Sequence, residues 1–220
     1  MTMILGISGS LRRASYNTAL LRAAAGLAPS GTTVDMATLH GIPLYDGDLE
    51  AEHGLPEPVR LLKERIVAAD GLLLVTPEYN NAIPGVMKNA IDWLSRPASD
   101  IPRVFRDLPV AILGTTPGRG GTILAQGAWL PILRTLGTLP WFGAKLQIAD
   151  AGHAFDEEHR LVDPRVRGEL TRFVEGFARF VASASPLRGH TESTTRMRTV
   201  PEAEGGGVTQ AEIRLDRHGS

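Results

Sequence analysis

The spacing of hydrophobic residues changes several times along the chain, and each change marks an element. "MILGIS" (3–8) is a short apolar run and reads as a first strand. Leu20, Leu21, Ala24 and Leu27 then recur at helical spacing. In "TVDMATL" (33–39), Val34 and Met36 alternate with polar residues, as expected of a half-buried edge strand. Residues 40–58, rich in Gly, Pro and Asp, read as a loop. Val59, Leu62, Ile66 and Ala69 share a helix face, and "GLLLV" (71–75) is continuously apolar, as in a central parallel strand covered on both sides. Val86, Met87, Ala90, Ile91 and Leu94 form the next helical stripe, and "PVAILGTT" (109–116) is another continuous run. Residues 120–137 read as a helix. Pro131 lacks the amide for an interior bond there, which predicts a kink near Gly127 to Pro131. "AKLQIA" (144–149) alternates as a second edge strand, and Val166, Leu170, Phe173, Val174, Phe177 and Val181 define a long final helix.

Strand and helix alternating in this way give a parallel sheet with helices on both faces, joined by right-handed crossovers. The continuous runs belong at the centre and the alternating runs at the edges. Order 2-1-3-4-5 meets both demands, so an α/β, flavodoxin-like three-layer sandwich with a five-stranded sheet is expected. Residues 1–185 make this domain. Residues 186–220 have few large apolar residues and include "GGG", so they read as a C-terminal tail, flexible or docked on a partner. "VTQAEIRLD" within it has the pattern of a strand that a partner could pair.

Composition narrows the chemistry. The 220 residues carry a net charge of −1, which gives no sign of a nucleic-acid partner. Absence of cysteine excludes disulfides, thiolate catalysis and cysteine metal sites. No apolar stretch approaches the roughly 20 residues that span a bilayer, so no membrane partner is expected. "MTMILGISGSLRR" has no basic start followed by a long apolar region, and it reads as a strand rather than a signal peptide. A cytoplasmic protein is the expectation.

In an open α/β sheet, ligands bind beyond the carboxyl ends of the strands where strand order reverses. Here three loops converge on that point. "SGSLRRASYNT" offers Ser8, Ser10, Ser15 and Asn17 as short donors, Gly9 for close approach, Arg12 and Arg13 as charges, and a helix start near Ser15 or Tyr16. An anion site needs such a set, although a capped helix start with solvated arginines accounts for it equally well. It is neither a P-loop nor a dinucleotide fingerprint, and "GISGS" lacks the last Gly of a nucleophile elbow. "TPEYNN" places Pro77, Glu78, Tyr79, Asn80 and Asn81 at the end of a buried strand. They suit either a flat, polar-edged ligand or an ordinary turn using Asn for unusual φ/ψ. "GTTPGRGG" can lie flat against a ring system, or simply open a helix.

"GSLRRASYN", "TPEYNNAIPGVMKNAIDW" and "TTPGRGG", in this order and on these elements, resemble the NADPH-dependent FMN reductase family, which includes quinone and chromate reductases. The resemblance spans about residues 1–184 and implies a tightly held FMN, with NADPH or NADH as co-substrate. It implies a phosphate site at Ser10, Arg12, Ser15, Tyr16 and Asn17, a flavin-edge site at Pro77, Glu78, Tyr79 and Asn80, and Thr116, Pro117 and Gly118 near the ring. It further implies a homodimer or homotetramer with the cofactor near a subunit boundary. Asn81-Ala82 departs from the family's aromatic or Gly followed by Ser, and Pro131 falls in a helix that is usually regular.

On this resemblance, hydride passes from nicotinamide through flavin N5 to an acceptor in a ping-pong cycle, and no catalytic side chain is required because FMN carries the chemistry. Quinones, azo or nitro compounds, metal oxyanions and free flavin are all compatible acceptors. Arg13 and Arg119 could meet a 2′-phosphate. A flavodoxin-type electron carrier is the rival reading, but such carriers are strongly acidic, and an α/β hydrolase lacks its nucleophile elbow. His153 and His159 match no strong metal motif, so no metal is expected. Lys88 and Asp92 are spaced for a surface ion pair. Trp93 and Trp129 on helices, and Trp141 before strand five, read as core or interface packing.

Overall fold

The computed structural model describes residues 1–195, with side chains through residue 184. In chain order the elements are β1 (Thr2–Ser8), α1 (Tyr16–Gly26), β2 (Thr32–Ala37), α2 (Gly47–His53), α3 (Glu57–Ala68), β3 (Gly71–Val75) and α4 (Gly85–Leu94). Then come α5 (Ile101–Phe105), β4 (Pro109–Thr115), α6 (Ile123–Leu136), β5 (Leu139–Pro140), β6 (Gln147–Ile148), α7 (Ala151–Ala154) and α8 (Pro164–Thr195). The strands pair in parallel in the order β2-β1-β3-β4-β5, the flavodoxin-like order, and β6 also pairs with β4.

Continuous apolar strands follow from burial on both faces. Leu72 and Leu74 of β3 join one core with Leu5, Ile7, Val59, Ile66, Ile91 and Trp129. Leu73 and Val75 face the other, with Leu20, Leu21, Leu170, Phe173 and Phe177. β2 alternates partly buried with exposed positions, as an edge strand should.

The second edge differs from the single strand expected over 144–149. Leu139 and Pro140 pair with the start of β4, and Gln147 and Ile148 with its end. Pro140 has no amide for the ladder, and the Trp141 ring leaves the sheet to pack on Phe173 of α8, with centroids 4.9 Å apart. A Cβ at Gly176 would stand 2.8 Å from that ring, so the bare backbone of α8 makes the seat for it. Residues 40–58 are not all loop either, because α2 lies within them. It buries no residue, so it has no apolar stripe to betray it. Its sequence signals are the Asp46 cap, which accepts from Asp48 N at 2.9 Å, and Gly54 at φ 72° just past its end.

α6 runs without a break through Pro131, whose carbonyl accepts from Thr135 Oγ1 at 2.9 Å. Trp93 and Trp129 are fully buried core residues, bonded through their indole N–H to Pro43 O and Thr76 Oγ1. Lys88 and Asp92 pair at 2.6 Å. The backbone of α8 continues to Thr195, beyond residue 185. The rest of the expected tail, including "VTQAEIRLD", lies outside the described residues.

Candidate active site

β1, β3 and β4 deliver their loops to one end of the sheet, and close packing locks the first two together. Gly9 N donates to Val75 O at 2.9 Å, and a Cβ on Gly9 would stand 2.6 Å from Met87 Sδ and 2.8 Å from Pro77 Cδ. Only glycine lets the first loop lie this close to the second. Ser15 caps α1 by accepting from Thr18 N at 3.2 Å. Capping is observed, and it leaves the amides of Tyr16 and Asn17 without an acceptor among the described residues, as an anion site would require. Ser10 and Ser15 are buried, while Arg12 is exposed and has no carboxylate partner among the described residues.

The second loop is a tight turn. Tyr79 and Ala82 exchange both backbone hydrogen bonds at 3.1 Å, with Asn80 at φ 50° and Asn81 at φ 62°. Asparagine tolerates this left-handed pair, so its presence here has a conformational cause. Glu78 turns inward, and its Oε2 accepts from Leu124 N (2.8 Å) and Ala125 N (2.9 Å) at the start of α6. The third loop is pinned by Thr116 N to Ile148 O (3.0 Å) and by Ala151 N to Thr116 O (3.1 Å).

Ser10, Arg12, Ser15, Tyr16, Asn17, Pro77, Glu78, Tyr79, Thr116 and Pro117 line one cleft, joined by Thr115. Asn80 sits on the turn's tip and Gly118 on the outer side of its loop, and neither lines the cleft. Sequence reasoning missed Thr115. Its residue is 1% exposed and its Oγ1 has no hydrogen-bond partner. The hydroxyl oxygen is closed off from the cleft as well as from protein partners among the described residues, so it is an unsatisfied buried group behind the cleft wall rather than a group presented to a ligand. The signal available was "GTT" at the end of a buried strand. Sequence reasoning also missed residues beyond the third loop. Tyr16 packs against Phe155 and His159, with centroids 5.6 and 5.3 Å away. His159 thus has a packing role, and no metal-binding group of His, Asp and Glu occurs among the described residues.

The donor set fits FMN. Two buried hydroxyls, free first-turn amides and a guanidinium suit a phosphate dianion at one end. Two prolines, a tyrosine and Thr116 suit a flat ring with polar edges at the other.

The strand order and this cleft at its switch point define a flavodoxin-like architecture with a ligand site in the expected place. The family model for NADPH-dependent FMN reductases matches residues 2–152, and the chain belongs to that family, making it an oxidoreductase that uses FMN and NAD(P)H. It is 46% identical over 164 residues to an NAD(P)H-dependent FMN reductase of Pseudomonas aeruginosa, covering 74% of this chain and 86% of the relative. It is 38% identical over 175 residues to a 2-hydroxy-1,4-benzoquinone reductase of a Burkholderia species, covering 80% and 93%. Among solved structures it resembles FerB, a flavoenzyme NAD(P)H:(acceptor) oxidoreductase from Paracoccus denitrificans, with TM-score 0.73 and 32% identity over 84% of this chain and 99% of that one.

Proposed function

We propose that the chain holds FMN in this cleft and reduces a small electrophilic acceptor, a quinone being favoured, at the expense of NAD(P)H in a ping-pong cycle. The observation that carries this reading is the meeting, in one cleft at the switch point of the sheet, of unpartnered α1 amides, Arg12 and the Ser10 and Ser15 side chains. Ser10, Arg12, Ser15, Tyr16 and Asn17 form the phosphate end. Pro77, Glu78 and Tyr79 form the ring edge, with Thr116 and Pro117 beside it, while Asn80 and Gly118 shape the loops from outside the cleft. Bound FMN supplies the redox chemistry by taking up a hydride and passing it on, so the protein's task is to bind, orient and leave one ring face open. The exposed Tyr79 stands at the mouth, where a planar acceptor or nicotinamide can enter. The relatives named for FMN and benzoquinone reduction support this acceptor class.

A homodimer or homotetramer belongs to the proposal. α6 leaves Ile123 (55%), Leu124 (52%) and Leu130 (41%) exposed beside the cleft, an apolar strip suited to a second copy. A cytoplasmic site of action fits a nicotinamide-dependent reductase, and no described helix is long and apolar enough to cross a membrane.

The test is the visible spectrum of the purified protein before and after anaerobic NADPH, then NADH. Bound-flavin bands that bleach, followed by parallel double-reciprocal plots with a benzoquinone, support the reading. A colourless protein that takes up no added FMN would sink it. Flavin that binds but never bleaches with either nicotinamide would favour an electron carrier.

A further inference from the structure

The β1–α1 loop that supplies the phosphate end has few restraints of its own. Within residues 10–14 the internal hydrogen bond is Arg12 N to Ser10 Oγ at 3.3 Å. Residues 13–14 form a turn into α1, and among the described residues one hydrogen bond reaches this stretch from a distant element: His40 Nε2 meets Leu11 O at 3.1 Å. His40 lies just past the end of β2, which pairs in register with β1, so the imidazole comes to the loop from the neighbouring strand. Its other ring nitrogen bonds Thr38 Oγ1, and its backbone N donates to the same hydroxyl at 3.3 Å. Leu11 O is a pure acceptor, so Nε2 carries the proton. Nδ1 can then accept the Thr38 hydroxyl proton, and both ring nitrogens have a partner.

We infer that His40 is a positioning residue for cofactor binding: it latches the Leu11 carbonyl and so holds the next residue, Arg12, where the cofactor phosphate is bound. The inference rests on the phosphate-end reading above. An arginine on an untethered loop must be ordered at the moment of binding, and a pre-set loop avoids that entropy loss. His40 does not line the cleft, so it acts through the loop rather than on the ligand.

The experiment compares FMN with riboflavin, which has the same ring and no phosphate. Dissociation constants are taken from flavin fluorescence quenching on the full-length apoprotein, for wild type, His40→Ala, His40→Gln, Arg12→Ala and the His40→Ala/Arg12→Ala pair. His40→Ala is expected to raise the FMN constant about 3- to 10-fold, the size of one lost positioning hydrogen bond. The riboflavin constant should stay put. Gln places an amide N–H near the Nε2 position and should restore most of the affinity, and in the Arg12→Ala background the His40 change should add little. An unchanged FMN constant, or equal losses for both flavins, overturns the inference. If His40→Ala does not fold, Thr38→Val, which frees the ring, must show the same FMN-selective loss or the inference falls. A wild type that binds both flavins equally would defeat the phosphate end itself and His40's role with it. A wild type that prefers FMN while His40→Ala matches it would defeat only the latch.

Discussion

The side chain of Asn17 and the backbone of Thr115 exchange two buried hydrogen bonds: Nδ2 donates to Thr115 O at 2.8 Å, and Thr115 N donates to Oδ1 at 3.0 Å. This clamp ties the first turn of α1 to the end of β4, so it fixes the α1 side of the cleft relative to the loop after β4. Asn17 thereby spends one amide hydrogen and one lone pair on the scaffold. Asn17→Asp keeps the acceptor but turns a carboxylate toward a carbonyl. At pH 7 the variant should lose about 2 kcal/mol or more in urea unfolding, because Thr115 O loses its donor and gains a repulsive neighbour. An unpaired buried carboxyl has a raised pKa, and once protonated it can donate to Thr115 O again. The deficit should therefore shrink at pH 5. A variant as stable as wild type at pH 7 would show that the clamp does not bear on stability.

Thr115→Val should move stability and leave flavin binding in place. The hydroxyl is buried and unpartnered, so replacing it with a methyl removes an unsatisfied group. The apoprotein should be unchanged or more stable by about 1 kcal/mol. FMN affinity should stay unchanged, because the hydroxyl oxygen is closed off from the cleft. Urea midpoints of the apoprotein and flavin titrations read the two effects independently. A loss of FMN affinity in a stable variant would show instead that the hydroxyl turns to meet the cofactor.

The fold was legible because its buried strands carry a pattern that only two-sided burial explains. "GLLLV" is buried at every position, and "TTVDMA" alternates as a strand covered on one side does. The split second edge was not legible. It depends on where the Trp141 ring finds a seat, and that seat is Gly176 on a helix distant in sequence. α2 escaped because its stability signals are caps rather than a stripe. In the cleft, short donors next to a helix start announced the first loop. Thr115 and His40 did not announce themselves, since one matters through a missing partner and the other through a carbonyl reached from the next strand.

Away from the cleft, Asp100 sets an acid limit on stability. Arg103 Nε donates to its Oδ1 at 2.7 Å, and the fully buried Lys63 donates to its Oδ2 at 3.0 Å and also to Arg96 O. The Arg103 hydrogen bonds, with those of Lys63 adding to them against the cost of burial, hold the carboxyl down from 3.8 to about 2. A depressed folded-state value means the carboxylate contributes stability above about pH 4 and loses it as pH falls toward 2. The shift corresponds to about 2 kcal/mol. Asp100→Asn should cost about that much at pH 7, and its stability curve should converge on the wild-type curve as pH approaches 2. Parallel curves from pH 5 to pH 2 would remove Asp100 from the acid transition.

Glu78 belongs to the cleft by position and to α6 by its hydrogen bonds. Thr122, at the helix start, makes no side-chain cap bond, and Glu78 Oε2 serves in its place by accepting from Leu124 N and Ala125 N. The negative charge also sits at the positive end of the helix. Glu78→Gln retains an acceptor and loses the charge, so it should cost the apoprotein about 0.5 kcal/mol. Glu78→Ala loses both and should cost about 1–2 kcal/mol. Because the carboxylate joins the second loop to the third loop's helix, the alanine variant should also weaken FMN binding and slow NAD(P)H oxidation, with the glutamine variant between it and wild type. Urea unfolding of the apoprotein decides the cause. A Glu78→Ala protein of wild-type stability that has nonetheless lost flavin would mean that the carboxylate contacts the cofactor directly and that its bonds to α6 are incidental.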